Sequence, residues 1–72
     1  MEIRIDDIEA VPALRRYLSE RTSFLVDERG ADALAVGVVG SFRDGGHLEV
    51  ERYLRPWCDR HRGVAVSLVP DL

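Results

Sequence analysis

The hydrophobic period of this chain switches between alternating and helical four times, and the order of those switches constrains the fold more than any other feature. Met1–Ile5 alternates, with Ile3 and Ile5 on one face and Glu2 and Arg4 on the other. From Ile8 to Arg21 the period becomes helical: Ile8, Val11, Leu14, Tyr17 and Leu18 form one stripe, with Arg15, Arg16 and Glu20 opposite. Asp6 and Asp7 are breakers and N-cap candidates, and Pro12 fits only the first turn, so the regular helix is expected to begin near Glu9 or Ala10. Ser23–Glu28 reads as a second strand with Phe24 and Val26 inward, Arg29–Asp32 as a turn, and Ala33–Phe42 as a third strand.

That third strand has large residues on one face (Leu34, Val36, Val38, Phe42) and mostly small, uncharged ones on the other, which suits a central position in a sheet. Val50, Tyr53, Leu54, Trp57, Cys58 and His61 then recur at helical spacing, with Gly63 as a stop. Pro56 lies inside this stripe and predicts a kink or a break that opens a second short segment. A hairpin at Asp44-Gly45, with residues 47–54 as a strand, is the competing reading; the longer helical stripe favours the helix. Val64–Val69 is the last strand, with Val64, Val66 and Leu68 inward.

Strand, helix, strand, strand, helix, strand describes two βαβ-like halves. The expected architecture is an α+β, ferredoxin-like βαββαβ two-layer sandwich: a four-stranded antiparallel sheet with two helices on one face. With 72 residues the chain makes one domain, expected to span 1–72. So short a chain has no room for an enclosed cavity with a supporting shell, so a site belongs on a surface, a loop or an interface.

The net charge of −3 argues against a nucleic-acid-backbone partner. Residues 1–51 hold six Arg against eleven acids, and residues 52–72 hold four Arg against two, so Arg55, Arg60 and Arg62 belong to a mildly basic segment on an acidic chain. All ten basic residues are Arg, and Lys, Asn and Gln are absent, a usage that points to a GC-rich bacterial coding sequence. One cysteine excludes an internal disulfide, and no apolar run is long enough to span a membrane. A cytoplasmic protein with no membrane association, no metal and no cofactor is expected.

The chemistry-bearing residues are sparse. Cys58 and His61 are neighbours on one helix face, but they continue the apolar stripe, and His47 is three turns away, which suits core-edge packing better than a metal site or an activated thiol. Asp6, Asp7 and Glu9 are read as helix-start partners rather than an acid–base pair. Gly37-Val-Val-Gly40-Ser-Phe-Arg43 resembles the glycine-rich phosphate-cradling loop of acylphosphatases, which share the expected fold. Here, however, it follows the third strand instead of the first, and the Asn that family requires is missing. A simpler anion or small-molecule site at Arg43, Gly45 and Gly46 is the alternative functional reading. Asp6-Asp7 stands where heavy-metal-binding relatives of this fold carry Cys-x-x-Cys, and the first strand lacks the aromatic residues of the RNA-recognition type.

A resemblance covering more of the chain lies in Ala13-Leu-Arg-Arg-Tyr-Leu18, Tyr53-Leu-Arg-Pro-Trp57 and Arg60-His-Arg-Gly-Val-Ala-Val66. These segments resemble the helices and last strand of the effector-associated constant component family, small actinobacterial proteins of bacterial conflict systems. The segment between the helices is shorter here. The resemblance implies a non-enzymatic adaptor and carries over no catalytic residue.

The expected sheet has a helix-free face carrying Arg4, Leu25, Ala35, Gly37, Val39, Ala65, Ser67 and Val69. That set is apolar and small for a solvated face, and contiguous apolar patches on small domains mark interaction surfaces. The expected function is therefore a protein-interaction or adaptor module without catalysis. It would bind a protein partner or a second copy through the open sheet face or an edge strand. Val39, Leu25 and Val69 are the anchors, Arg4 the rim, and Arg55, Arg60 and Arg62 a possible basic contact.

Overall fold

The computed structural model describes residues 1–40 and 46–69. Four strands, β1 (Glu2–Ile5), β2 (Phe24–Gly30), β3 (Ala33–Val38) and β4 (Val66–Val69), form one sheet in the order β2-β3-β1-β4, with every neighbouring pair antiparallel. Two helices, α1 (Val11–Ser19) and α2 (His47–Arg60), pack on one face of it. This is the ferredoxin-like α+β sandwich.

A single core lies between the layers. Ile3 and Ile5 from β1, Phe24 from β2, and Leu34 and Val36 from β3 meet Val11, Leu14 and Leu18 of α1 and Val50, Leu54 and Trp57 of α2. The alternation of the strands and the helical stripes thus bury against one another, as their periods require. The helices are also clasped directly. The Tyr17 hydroxyl donates to the Tyr53 carbonyl, the Tyr53 hydroxyl donates to the Tyr17 carbonyl at 3.1 Å, and the two rings stack at 4.5 Å. Burial, aided by the charge of Tyr53, raises the pKa of the Tyr17 phenol, which therefore remains a donor at neutral pH.

Several boundaries differ from expectation. A 3₁₀ turn over Ile8–Ala10 precedes α1, started by Asp7, whose Oδ1 accepts the Glu9 amide at 3.0 Å. The tighter turn rotates Ile8 out of the helical stripe, and it is 60% exposed instead of buried. Asp6 accepts the Ala65 amide at 2.7 Å and so ties the end of β1 to the chain entering β4. The β2–β3 turn shrinks to Ala31-Asp32, because β2 runs on through a bulge between Glu28 and Gly30. β3 ends at Val38, short of the expected Phe42; Ser41 and Phe42 lie outside the described residues. β4 begins at Val66 rather than Val64. Residues 47–54 are helix, not hairpin.

Pro56 neither breaks α2 nor starts a second segment: the helix runs without interruption from His47 to Arg60. Proline cannot donate to the carbonyl of Arg52, and both residues lie on the exposed side of the helix, where the lost bond is tolerated best. The lost bond still carries a cost. Pro56→Ala is expected to raise unfolding free energy by about 1–2 kcal/mol, the helix-interior penalty less the entropy regained by the unfolded chain. Urea denaturation followed by circular dichroism measures it, and an unchanged midpoint would show that α2 carries no penalty at Pro56.

Candidate functional site

Among the described residues, two surfaces of the sheet bear on a site: the helix-free face, with exposed apolar groups, and the flank where half-buried apolar groups of α2 and β4 meet.

On the helix-free face, register sets the neighbours. Leu25 lies opposite Gly37, and Val39 follows two residues later, with its amide bonded to the Ser23 carbonyl at 2.8 Å. Leu25 and Val39 are each 63% exposed, and a Cβ added at Gly37, the register partner of Leu25, would meet open space. The neighbouring row reads Val69, Glu2, Ala35, Asp27 across all four strands, and Arg4 stands between Ser67 and Ala33 in the next. Ala65 is exposed just ahead of β4.

The face read from the sequence as apolar and small, with Arg4 at its rim, also carries acids. Glu2 and Asp27 share it, and Arg29 joins Leu25, Asp27, Ala35 and Gly37 around one groove. Arg4 is paired with Glu2, Nε to Oε2 at 2.8 Å. The face is an apolar corner at Leu25, Gly37 and Val39 beside a strip of both charges, with Val69 set apart from that corner by Glu2. The alternation that places Leu25 and Arg4 outward places Asp27 and Glu2 there too, so these acids were legible in the sequence.

On the other flank, Leu54 and Cys58 of α2 and Val66 and Leu68 of β4 line a shallow apolar groove with Glu51 and Arg55 beside it. Sequence reasoning missed this site as a unit, although Glu51, Arg55 and Cys58 fall at helical spacings of four and three. What was missing is non-local: only the strand order shows that β4 is an edge.

The remaining candidates have structural explanations. Burial, reinforced by the charge of Asp59, pushes the pKa of the Cys58 thiol up, so it stays protonated at neutral pH, the wrong form for a nucleophile or metal ligand. His61 is committed to Trp57: its Nδ1–H donates to the Trp57 carbonyl at 2.8 Å and its ring stacks on the indole at 4.0 Å. Arg55 and Arg60 are exposed on α2, and Arg62 is exposed just beyond it. Arg55 lines the groove, Arg60 folds back toward the Pro56 carbonyl, and Arg62 sits in the loop after α2. Among the described residues no group of three His, Cys, Asp or Glu side chains is placed to hold a metal ion, and no helix is long and apolar enough to cross a membrane.

Of the alternative anion loop, Arg43 and Gly45 lie outside the described residues. Gly46 is buried at the N-cap of α2 with φ of 84°, and a Cβ there would clash with Val38 Cγ2. Turn geometry and close packing account for this glycine.

No protein-family model, no curated protein and no solved structure matches this chain. What stands of the resemblance in the helices and last strand is the small α+β fold with its four-stranded antiparallel sheet.

Proposed function

We propose that this chain is a non-enzymatic protein-interaction module, an adaptor of the kind that the resemblance to the effector-associated constant component family implies. The observation that carries the reading is the pair Leu25 and Val39, both well exposed and set side by side around Gly37 on a sheet face that the helices leave open. Exposed branched aliphatic side chains on a pleated surface add little to folding, and they supply the apolar centre that a protein interface needs. The adjoining strip of Glu2, Arg4, Asp27 and Arg29 carries both signs of charge, which suits the polar rim of a protein contact and repels a phosphate backbone as much as it attracts one.

Val39→Arg is the test. The residue is exposed and outside the core, so the variant is expected to keep its circular dichroism and thermal midpoint while losing at least about tenfold in partner affinity, as loss of a central anchor does. Affinity capture from the native cytosol, wild type against variant, reads the effect by quantitative mass spectrometry. An identical set of captured proteins would remove the open face from consideration. The anion-binding reading predicts the opposite pattern: phosphate would stabilise the wild type and Val39→Arg alike, and Arg43→Ala would abolish the shift.

A further inference from the structure

The two edges of the sheet are built differently. β2 ends in exposed Asp27, Glu28 and Arg29, bulges between Glu28 and Gly30, and has Glu28 tied to Arg15 of α1 at 2.9 Å. Charges and bulges are the ordinary means of blocking strand addition at an edge. β4, at the other edge, is Val66-Ser67-Leu68-Val69, without a charge or a bulge.

The backbone of β4 is also available. The Asp6 amide bonds the Ala65 carbonyl at 3.1 Å, while the Ile5 amide turns the other way, to the Asp32 carbonyl at 2.9 Å. By that alternation Glu2 and Arg4 face β4, so their register partners Val69 and Ser67 direct their amides and carbonyls inward. Val66 and Leu68 present theirs at the outer edge. Their side chains, with Leu54 and Cys58, line the half-covered groove under α2.

The groove is flanked on α2 by one acid and one base a single turn apart, Glu51 and Arg55, both exposed, with His47 Nε2 also 3.8 Å from the Glu51 carboxylate. A helix marked in this way is complementary to its own antiparallel copy, in which each Glu51 meets the other copy's Arg55. A foreign strand would satisfy the edge hydrogen bonds; a second copy of this chain satisfies them and the charges together.

We infer that this chain forms a two-fold dimer in which the β4 edges pair antiparallel, Val66 of each copy bonding Leu68 of the other, while the two α2 helices lie antiparallel with reciprocal Glu51–Arg55 ion pairs. The two sheets become one continuous sheet, the apolar grooves close on each other, and both open faces look the same way. The dimer uses a different surface from Leu25 and Val39, so it goes beyond the adaptor reading and the two can fail separately.

A charge-swap series in sedimentation velocity at low ionic strength tests the dimer. Wild type is expected to dimerise at micromolar concentration. Glu51→Arg and Arg55→Glu, each placing like charges face to face, are expected to weaken the dimer by about tenfold or more. The double variant Glu51→Arg/Arg55→Glu is expected to recover it. Circular dichroism checks the fold, and the double variant keeps the series decisive if one single swap disturbs it. A monomeric wild type overturns the proposal, as does a dimer that survives both single swaps, or single-swap losses that the double variant does not repair. A dimer abolished by Val39→Arg and untouched by the swaps overturns it as well, and moves self-association to the open face.

Discussion

Gly46→Ala is expected to destabilise the fold by about 3 kcal/mol or more, combining a left-handed backbone with a steric clash. At φ of 84° an L side chain is strained whatever space surrounds it, and here there is little: the added Cβ would clash with Val38 Cγ2 and lie 2.5 Å from Val38 Cβ. Val38 belongs to β3 and packs against the core, so it cannot swing aside as a long surface side chain would. The Gly46 carbonyl also accepts the Val50 amide at 2.9 Å, so moving this residue disturbs the first turn of α2. Denaturant unfolding of three variants separates the two costs. Val38→Ala in the Gly46→Ala background removes the Cγ atoms but leaves the Cβ clash, and should rescue little. Val38→Gly in the same background removes the clash, and its loss measured against Val38→Gly alone is the backbone strain. A Gly46→Ala loss below about 1 kcal/mol, the size of an ordinary substitution, would show that β3 and α2 yield at this point. The experiment also bears on function, because a glycine required by packing is not by itself a sign of an anion cradle.

How far the sequence reveals this molecule depends on the range of the interactions involved. The order of elements is legible because each period is local: Ile3 and Ile5 alternate, Leu14 and Leu18 recur at helical spacing, and the structure buries all four. β3 is legible as central because its outward side is small. Ile8 is not legible, because a 3₁₀ turn advances each residue by about 120° instead of about 100° and carries it off the stripe. The length of β2 depends on a bulge that no local pattern in Asp27-Glu28-Arg29 announces. The groove at Leu54, Cys58, Val66 and Leu68 is least legible, because it exists only once β4 has taken the place beside β1 and become an edge. The charges on the open face fall between these cases: Glu2 and Asp27 lie outward by simple alternation, and their effect on the surface follows only from the row that joins them across β1 and β3.

Trp57→Ala is expected to cost about 4 kcal/mol, the loss typical of removing a buried large aromatic side chain. Trp57 is 3% exposed and belongs to the core on the α2 side. Its position next to Pro56 gives it a second role. Proline deprives the helix of one hydrogen bond just where α2 must continue, and the indole, with Leu54 and Val50, holds the stretch onto the sheet. Beyond it, His61 stacks on the indole and donates to the Trp57 carbonyl, so the last turn is fastened to the same residue. Removing the indole therefore leaves a cavity, an unstacked imidazole and a proline-weakened helix in one place. A domain of this size has a total stability of roughly 4–10 kcal/mol, so the alanine variant is expected to be partly unfolded at room temperature. Trp57→Phe keeps an aromatic ring in the cavity and is expected to lose about half as much. Urea unfolding followed by far-ultraviolet circular dichroism compares the two, since neither variant has a tryptophan to report. Equal losses for phenylalanine and alanine would mean that filling the cavity matters less than the specific indole contacts. A small loss for both would mean that α2 is held by Tyr17 and Tyr53 instead. The spacing of Glu51 and Arg55 along β4 depends on α2 remaining one rigid helix, so the anchor that keeps it continuous past Pro56 also keeps the proposed dimer surface in register.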